Sequence, residues 1–450
     1  MALLLSSRAT VMAVAAAAAA VALSCTGPGS DTQSDTAAPN PNTASNAASN
    51  AASNTASRAT TAAAAAAGPV APGIEVLLAD SLHLLRGKRV GLITNHSGRD
   101  RRGTSTIDLL HRAPGVTLTA LYGPEHGLRG VAKAGEKIAS SVDSATGIPI
   151  RSLYGETRVP TPEMLRDVDV LVYDIQDVGA RVYTYQWTMA LAAEAAGKLG
   201  KKFVVLDRPN PIRADRIEGG VLDPRFRSFV GQYPVALRYG LTPGELLRYL
   251  VATGQVKADV TVIPMRGYRQ SMWWEEAGLP WVNPSPNLRD MEAIVLYPGT
   301  VFFEGVNLSE GRGTDEPFKI AGAPWLTDAG VIAGELNAKK LPGVRFDSTS
   351  KTVEAGFEYG GQTIPVLRAR VTDRDALRPV DVGAHMLRAI YVRHQKDWQW
   401  SPDRIDRLSG SDALRRAVER EGGIEELFPR LQADADRWAQ EAAKYRLYPK

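Results

Sequence analysis

VDVLVYDIQDVGAR, residues Val168–Arg181, is a nearly unbroken apolar run that ends in acids, glycine and arginine. Thr184–Leu199 follows, with Ala and Leu recurring on one helical face, and then a second run, KKFVVLDRPNP, Lys201–Pro211. A strand apolar at successive positions needs cover on both faces, and a helix between two such strands leaves them parallel. Outward from this unit the same texture recurs in KRVGLITNHSG (Lys88–Gly98), VTLTALYGPEHG (Val116–Gly127), ADVTVIPM (Ala258–Met265) and EAIVLYPG (Glu292–Gly299). Thr242–Ala252 reads as another helix, with Thr242 as N-cap and Glu245 placed to close a capping box. The pattern predicts an α/β fold: a Rossmann-like open parallel sheet over residues 73–299. Beyond it, Gly299–Phe318 reads as a long polar loop. A helix near Thr327–Leu336, strands near Gly343–Asp347 and Thr363–Val371, and helices from about Val380, Asp412 and Ile424 complete a smaller α+β domain over 300–450. That domain is expected to close a cleft shared with the first.

The 450 residues are 44% apolar and 23% charged, with 53 basic residues scattered among 49 acids and a net charge of +4. These values disfavour a disordered, membrane-embedded or nucleic-acid-binding chain. Residues 1–24 carry one charge, Arg8, before an Ala/Val run, and read as an export signal too short to span a membrane. The run ends at VALSC, where Cys25 is the sole cysteine; the stretch resembles a lipoprotein lipidation site, although Ala22 stands where Leu is usual. Residues 25–72 are mostly Ala, Ser, Thr and Asn and read as a flexible tether. The expected location is the cell envelope, with lipid anchoring on the outer face of the cytoplasmic membrane through Cys25 as the one membrane contact. No obligate protein partner is evident.

In open α/β sheets ligands bind beyond the carboxyl ends of the strands. Four polar clusters stand there: Asn95 with His96, Glu125 with His126, Asp174 to Arg181, and Asp207 to Asn210. Glu125 is the leading catalytic candidate, because a carboxyl on a stiff turn near apolar surface has its charged form desolvated and can protonate a leaving group; His126 is placed to assist it. The bland alternative makes Glu125 a helix cap or a partner of Arg129. Asp174, Gln176, Arg181, Tyr183, Tyr185, Asp207 and Asn210 are candidate substrate contacts, against the alternative of an Asp177–Arg181 ion pair with the tyrosines in the core. In the second domain Asn307, Glu310 and Arg312 stand beside glycines that let a ligand approach. Trp273, Trp274 and Trp281 are either a sugar platform or core. A cofactor is not expected: Gly130–Lys137 is no phosphate fingerprint, the six histidines lack metal-binding spacing, and no GxSxG elbow occurs. A magnesium site on Asp174, Asp177 and Asp207 stays open as a rival, metal-dependent phosphoesterase reading.

Taken in order, GLITNHSG, LYGPEHGLRG, DIQDVGARVYTY, DRPNP and EGVNLSEGRGT resemble the consecutive motifs of the exo-β-N-acetylmuramidase family, long known as a domain of unknown function. The resemblance runs from about Gly73 to the C-terminus. It implies a two-domain glycoside hydrolase that removes N-acetylmuramic acid (MurNAc) from the non-reducing end of peptidoglycan fragments in wall turnover, with Glu125 at the catalytic position and the other matching residues lining the sugar pocket. Gly356–Asp373 departs from the pattern, lacking a cysteine expected in many relatives. The lactyl carboxylate of that sugar calls for a cation, and Arg181, Arg312 and Arg129 are the candidates. The rival from another class is a lipoprotein that binds wall fragments without cleaving them.

Overall fold

The structure is a computed structural model that describes residues 68–129, 136 and 139–450. The export signal, Cys25, the tether through residue 67 and most of Gly130–Lys137 lie outside the described residues. The chain is already packed at Val70, which is buried and donates its N–H to Ala277 O at 2.8 Å.

Seven strands form the central sheet: β1 Arg89–Thr94, β2 Thr117–Gly123, β3 Ser141–Val142, β4 Pro149–Ser152, β5 Val170–Asp174, β6 Lys202–Leu206 and, after the two-stranded hairpin of β7 Glu218–Val221 and β8 Ala236–Arg238, β9 Asp259–Ile263. The order is β3-β4-β2-β1-β5-β6-β9, and every pair is parallel except β3 with β4. Neighbouring side chains of one strand enter different cores. Leu171 and Tyr173 of β5 and Phe203 and Val205 of β6 join the cluster under helix Tyr185–Lys198. Val170, Val172, Val204 and Leu206 join Ile74, Leu77, Leu85 and Leu110 on the other face. Burial on both faces is why these strands lack alternation in the sequence. The capping box at Thr242 is present, with Thr242 Oγ1 accepting from Glu245 N at 3.2 Å and Glu245 Oε2 from Thr242 N at 2.9 Å.

The smaller domain holds a three-stranded antiparallel sheet, β10 Ile320–Gly322, β11 Val344–Thr352 and β12 Thr363–Val371, with β12 in the middle. Its core is continuous with that of the first domain, since Phe302, Leu336, Leu367, Ile390 and Trp438 belong to the same cluster as Tyr173 and Trp187.

Two expectations are corrected here. EAIVLYPG is not a strand but lies in helix Met291–Thr300, whose N-cap Asp290 accepts from Ala293 N at 2.9 Å. That helix is buried from Ala293 to Thr300 on every side, so it shows no helical period and reads like a buried strand. Its Gly299 abuts helix Pro379–Arg393 so closely that a Cβ there would lie 1.8 Å from Pro379 O. Nor is Gly299–Phe318 a polar loop: Val301–Gly305 is a 3₁₀ turn, with Val301, Phe302 and Phe303 buried.

Candidate active site

Connections from β1 run outward to β2 and β4 on one side and to β5, β6 and β9 on the other, which puts the topological switch point between the carboxyl ends of β1 and β5. Glu125 stands beside it. After β2, Gly127 N donates to Pro124 O at 2.9 Å, so Pro124–Gly127 is a single tight turn. His126 has φ 66° and Gly127 φ 73°. A left-handed histidine is strained by about 1 kcal/mol or more, a kind of distortion that concentrates at functional sites. The turn aims Glu125, 9% exposed, at the start of helix Tyr185–Lys198, where its Oε2 accepts from Thr184 Oγ1 at 2.6 Å. The positive end of that helix favours a carboxylate there.

The walls are tyrosines, two from the segment after β5 and one from helix Met291–Thr300. Tyr183 meets Tyr185 edge-on at 4.8 Å and Tyr297 at 6.2 Å, and Tyr297 in turn meets Phe318 at 4.9 Å. Burial, and to a lesser degree the charge of Glu125, holds all three phenols above their ordinary pKa. Tyr297 also faces Glu304 and Arg312. Arg312 stacks over Phe318 at 4.9 Å and is clamped by Glu304 at 2.7 Å and Glu310 at 2.6 Å. Burial disfavours the charge on Glu304, yet Arg312 and Arg404 together hold its pKa below the ordinary range, whereas burial raises that of Glu310.

His96 shares the same edge and senses His126. Its Nε2 lies 2.6 Å from Asn283 O, a carbonyl that can only accept, so the proton sits on Nε2. Burial pushes this imidazole below its usual pKa. Tyr185 OH donates to the next carbonyl, Pro284 O, at 2.7 Å, so the two side chains together anchor the 283–284 segment beside the acid. Asn95 Oδ1 accepts from Ser97 N at 2.9 Å and Ser97 Oγ at 2.6 Å, and Ser97 Oγ accepts from Gln176 N at 3.0 Å, tying the β1 and β5 loops together. Gln176 Nε2 donates to Asp177 O and Pro209 O, both at 2.8 Å, which fixes the amide and leaves its buried Oε1 without a hydrogen-bond partner among the described residues. Gln176 also lines an open pocket of about 340 Å³ with Ser97, Arg208 and Trp274, a pocket that does not include Glu125.

Other predicted contacts belong to the scaffold. Asp174 is ion-paired with Arg208, both almost fully buried, and accepts from Thr106. Asp207 accepts from Thr242 Oγ1 at 2.7 Å, Gly244 N at 2.8 Å and Tyr448 OH at 2.6 Å, pinning a helix start and the C-terminal tail. Asn210 donates to Leu241 O at 3.0 Å and accepts from Ile212 N at 3.1 Å; Asn307 bridges Asp397 O and Gln399 N, each at 2.8 Å. Arg181 is wholly buried; it donates to Leu408 O at 3.0 Å, at the carboxyl end of helix Pro402–Ser409, and burial presses its pKa down to about 9. Asp177, rather than joining Arg181, accepts from Gly179 N at 2.7 Å and Tyr239 OH at 2.5 Å, so Asp174, Asp177 and Asp207 do not gather as a magnesium site. Trp273 and Trp274 are buried and Trp281 is half-buried: Trp274 packs edge-on against Trp281 at 5.0 Å, and Trp273 donates to Asp375 Oδ1 at 3.1 Å. Thr184, Tyr154 and Tyr297 were not singled out from the sequence as site residues. Thr184 alone left a signal, as a helix N-cap to which a carboxylate could dock.

A buried carboxylate on a strained turn, at the carboxyl edge of a parallel sheet and walled by tyrosines, defines an α/β enzyme suited to acid–base chemistry on a polar ligand. Residues 90–292 match the family described as exo-beta-N-acetylmuramidase NamZ, N-terminal, and residues 295–448 match its C-terminal counterpart. The chain belongs to this family of glycoside hydrolases. It is 41% identical over 380 residues to peptidoglycan beta-N-acetylmuramidase NamZ of Bacillus subtilis strain 168, covering 84% of this chain and 91% of that protein. Two solved DUF1343 family proteins of Bacteroides fragilis share the fold. One has a TM-score of 0.78 at 36% identity, covering 84% of this chain and 99% of its own. The other has a TM-score of 0.68 at 29% identity, covering 85% and 100%.

Proposed function

We propose that this glycoside hydrolase is an exo-acting β-N-acetylmuramidase that releases non-reducing terminal MurNAc from peptidoglycan fragments during wall turnover, with Glu125 as general acid. The observation that carries the reading is the carboxylate itself: 9% exposed, fixed by Thr184 at 2.6 Å, and enclosed by Tyr183, Tyr185 and Tyr297. The Bacillus relative bears the name of the same activity.

Glu125 protonates the oxygen of the departing sugar. Glycoside hydrolysis also needs a nucleophile or a base at the anomeric carbon. Glu304 and Glu310, the carboxylates on the second domain's wall, are clamped on Arg312. The 2-acetamido carbonyl oxygen of the substrate is therefore favoured as nucleophile: it bonds to the anomeric carbon as the bond to the departing oxygen breaks, and water then opens the oxazolinium, giving its hydroxyl to MurNAc and its proton back to Glu125. In the test, the full chain and Glu125→Gln are incubated with β-1,4-linked MurNAc-GlcNAc and the products followed by mass spectrometry. The wild type releases free MurNAc, and the variant is slower by roughly 10²–10⁴-fold with unchanged thermal stability. Near-normal turnover by the variant removes Glu125 as the acid; an intact disaccharide with folded wild type removes the activity.

A further inference from the structure

A terminal muramic acid differs from the N-acetylglucosamine (GlcNAc) beside it by a lactyl ether that ends in a carboxylate, so a site that prefers it needs a cation. The three arginines expected for that role are occupied. Arg181 is sealed against a helix end, Arg312 lies between two glutamates, and Arg129 pairs with Asp143 at 3.1 Å.

Arg158 is placed differently. β4 runs parallel to β2, so the loop after β4 leaves the sheet at the same edge as the Glu125 turn, and Leu153 N donates to Gly123 O at 2.8 Å to hold the two together. Tyr154, next along, interacts with both the acid and the arginine. Its phenol is pushed up to about 12 by burial first and then by the charge of Glu125, while Arg158 pulls the other way. The guanidinium carbon of Arg158 sits 4.2 Å from the ring centre of Phe229 and 5.3 Å from that of Tyr154, and the two rings are 6.0 Å apart. Two aromatic faces thus hold a planar cation that is exposed to solvent, touches the Tyr154 hydroxyl and is in no ion pair among the described residues. A guanidinium shelved in this way loses little freedom on binding and keeps its fork of N–H donors for a planar anion.

We propose that Arg158, shelved on Phe229 and Tyr154, binds the lactyl carboxylate of a muramic acid seated at Glu125 and sets the preference for that sugar over GlcNAc. The assignment rests on the muramidase reading above. In the test, full-length wild type, Arg158→Met and Arg158→Lys are assayed on a chromogenic β-MurNAc glycoside, its lactyl methyl ester and the matching β-GlcNAc glycoside. Arg158→Met raises KM for the MurNAc glycoside by about tenfold or more and leaves kcat within a few-fold. It does not change the kinetics on the methyl ester, and Arg158→Lys recovers part of the loss. An unchanged KM in Arg158→Met, or an equal loss on the methyl ester and the acid, overturns the proposal while the muramidase reading stands. Wild type inert on all three glycosides overturns both.

Discussion

The loops after β2 and β4 and the loops after β5 and β6 leave the same edge of one sheet, yet their polar side chains have different tasks. On the first side Glu125, Tyr154 and Arg158 interact with one another, with Thr184 bonded to Glu125 and Phe229 stacked under Arg158. On the second side Asp174, Asp207, Asn210 and Arg181 are turned inward, and each is bonded to a group that holds the architecture together. A polar residue at a strand end is therefore only a candidate. What separates the two sides is what each side chain is bonded to: one another on the first, the supports of the sheet and the C-terminal segments on the second.

The sharpest way to break this contrast is Asp174→Asn. It leaves the Arg208 guanidinium buried beside a neutral amide, and removing one partner of a buried pair typically costs about 3–5 kcal/mol. A scaffold role predicts a lower urea midpoint with kcat/KM of the folded fraction unchanged. A raised KM at unchanged stability would move Asp174 back into the site.

Next in size is a pH effect. Burial pushes Asp207 up to about 7 against the hydrogen bonds of Tyr448 and Thr242. A carboxyl whose pKa is higher in the folded than in the unfolded chain binds its proton more tightly when folded. Its contribution is thus fully present below about pH 4 and is lost as pH rises through about 7. Asp207→Asn, which carries no such proton, should lack this decline, which in wild type reaches at most about 1.4 kcal/mol per pH unit inside that window. Thermal unfolding of the two proteins between pH 5 and 8 decides it, and parallel curves would show that Asp207 stays ionised on its hydrogen bonds.

The same contrast explains what could be read from the sequence. The parallel sheet was legible because β1, β2, β5 and β6 are buried on both faces and so spell an unbroken apolar word; helix Met291–Thr300 spells the same word for the same reason and reads as a strand. Only its N-cap, Asp290, marked it as helical. Glu125 was legible as a candidate because the turn around it is bracketed by Pro124 and Gly127. Arg158 was not, since β4 is the short run PIRS, half exposed, and carries no apolar signal to mark the loop that follows as a strand-end loop. Whether an arginine is free or capped by carbonyls from a segment more than two hundred residues away, as Arg181 is by Leu408, is a tertiary fact that no local pattern records.

The smallest effect probes the open side. Thr184 is the N-cap residue of helix Tyr185–Lys198, yet its hydroxyl serves Glu125 rather than the helix's own N–H groups. Thr184→Val keeps the branched shape and removes the donor, so its loss should appear in chemistry more than in folding or binding. A net hydrogen bond of about 1 kcal/mol to the carboxylate predicts a fall in kcat of roughly five- to tenfold, with KM within about twofold and stability within about 1 kcal/mol. Thr184→Ser, which restores the hydroxyl without the methyl, should recover most of kcat. If Val instead keeps wild-type kcat while Ser loses it, the methyl and its packing matter rather than the hydrogen bond to Glu125.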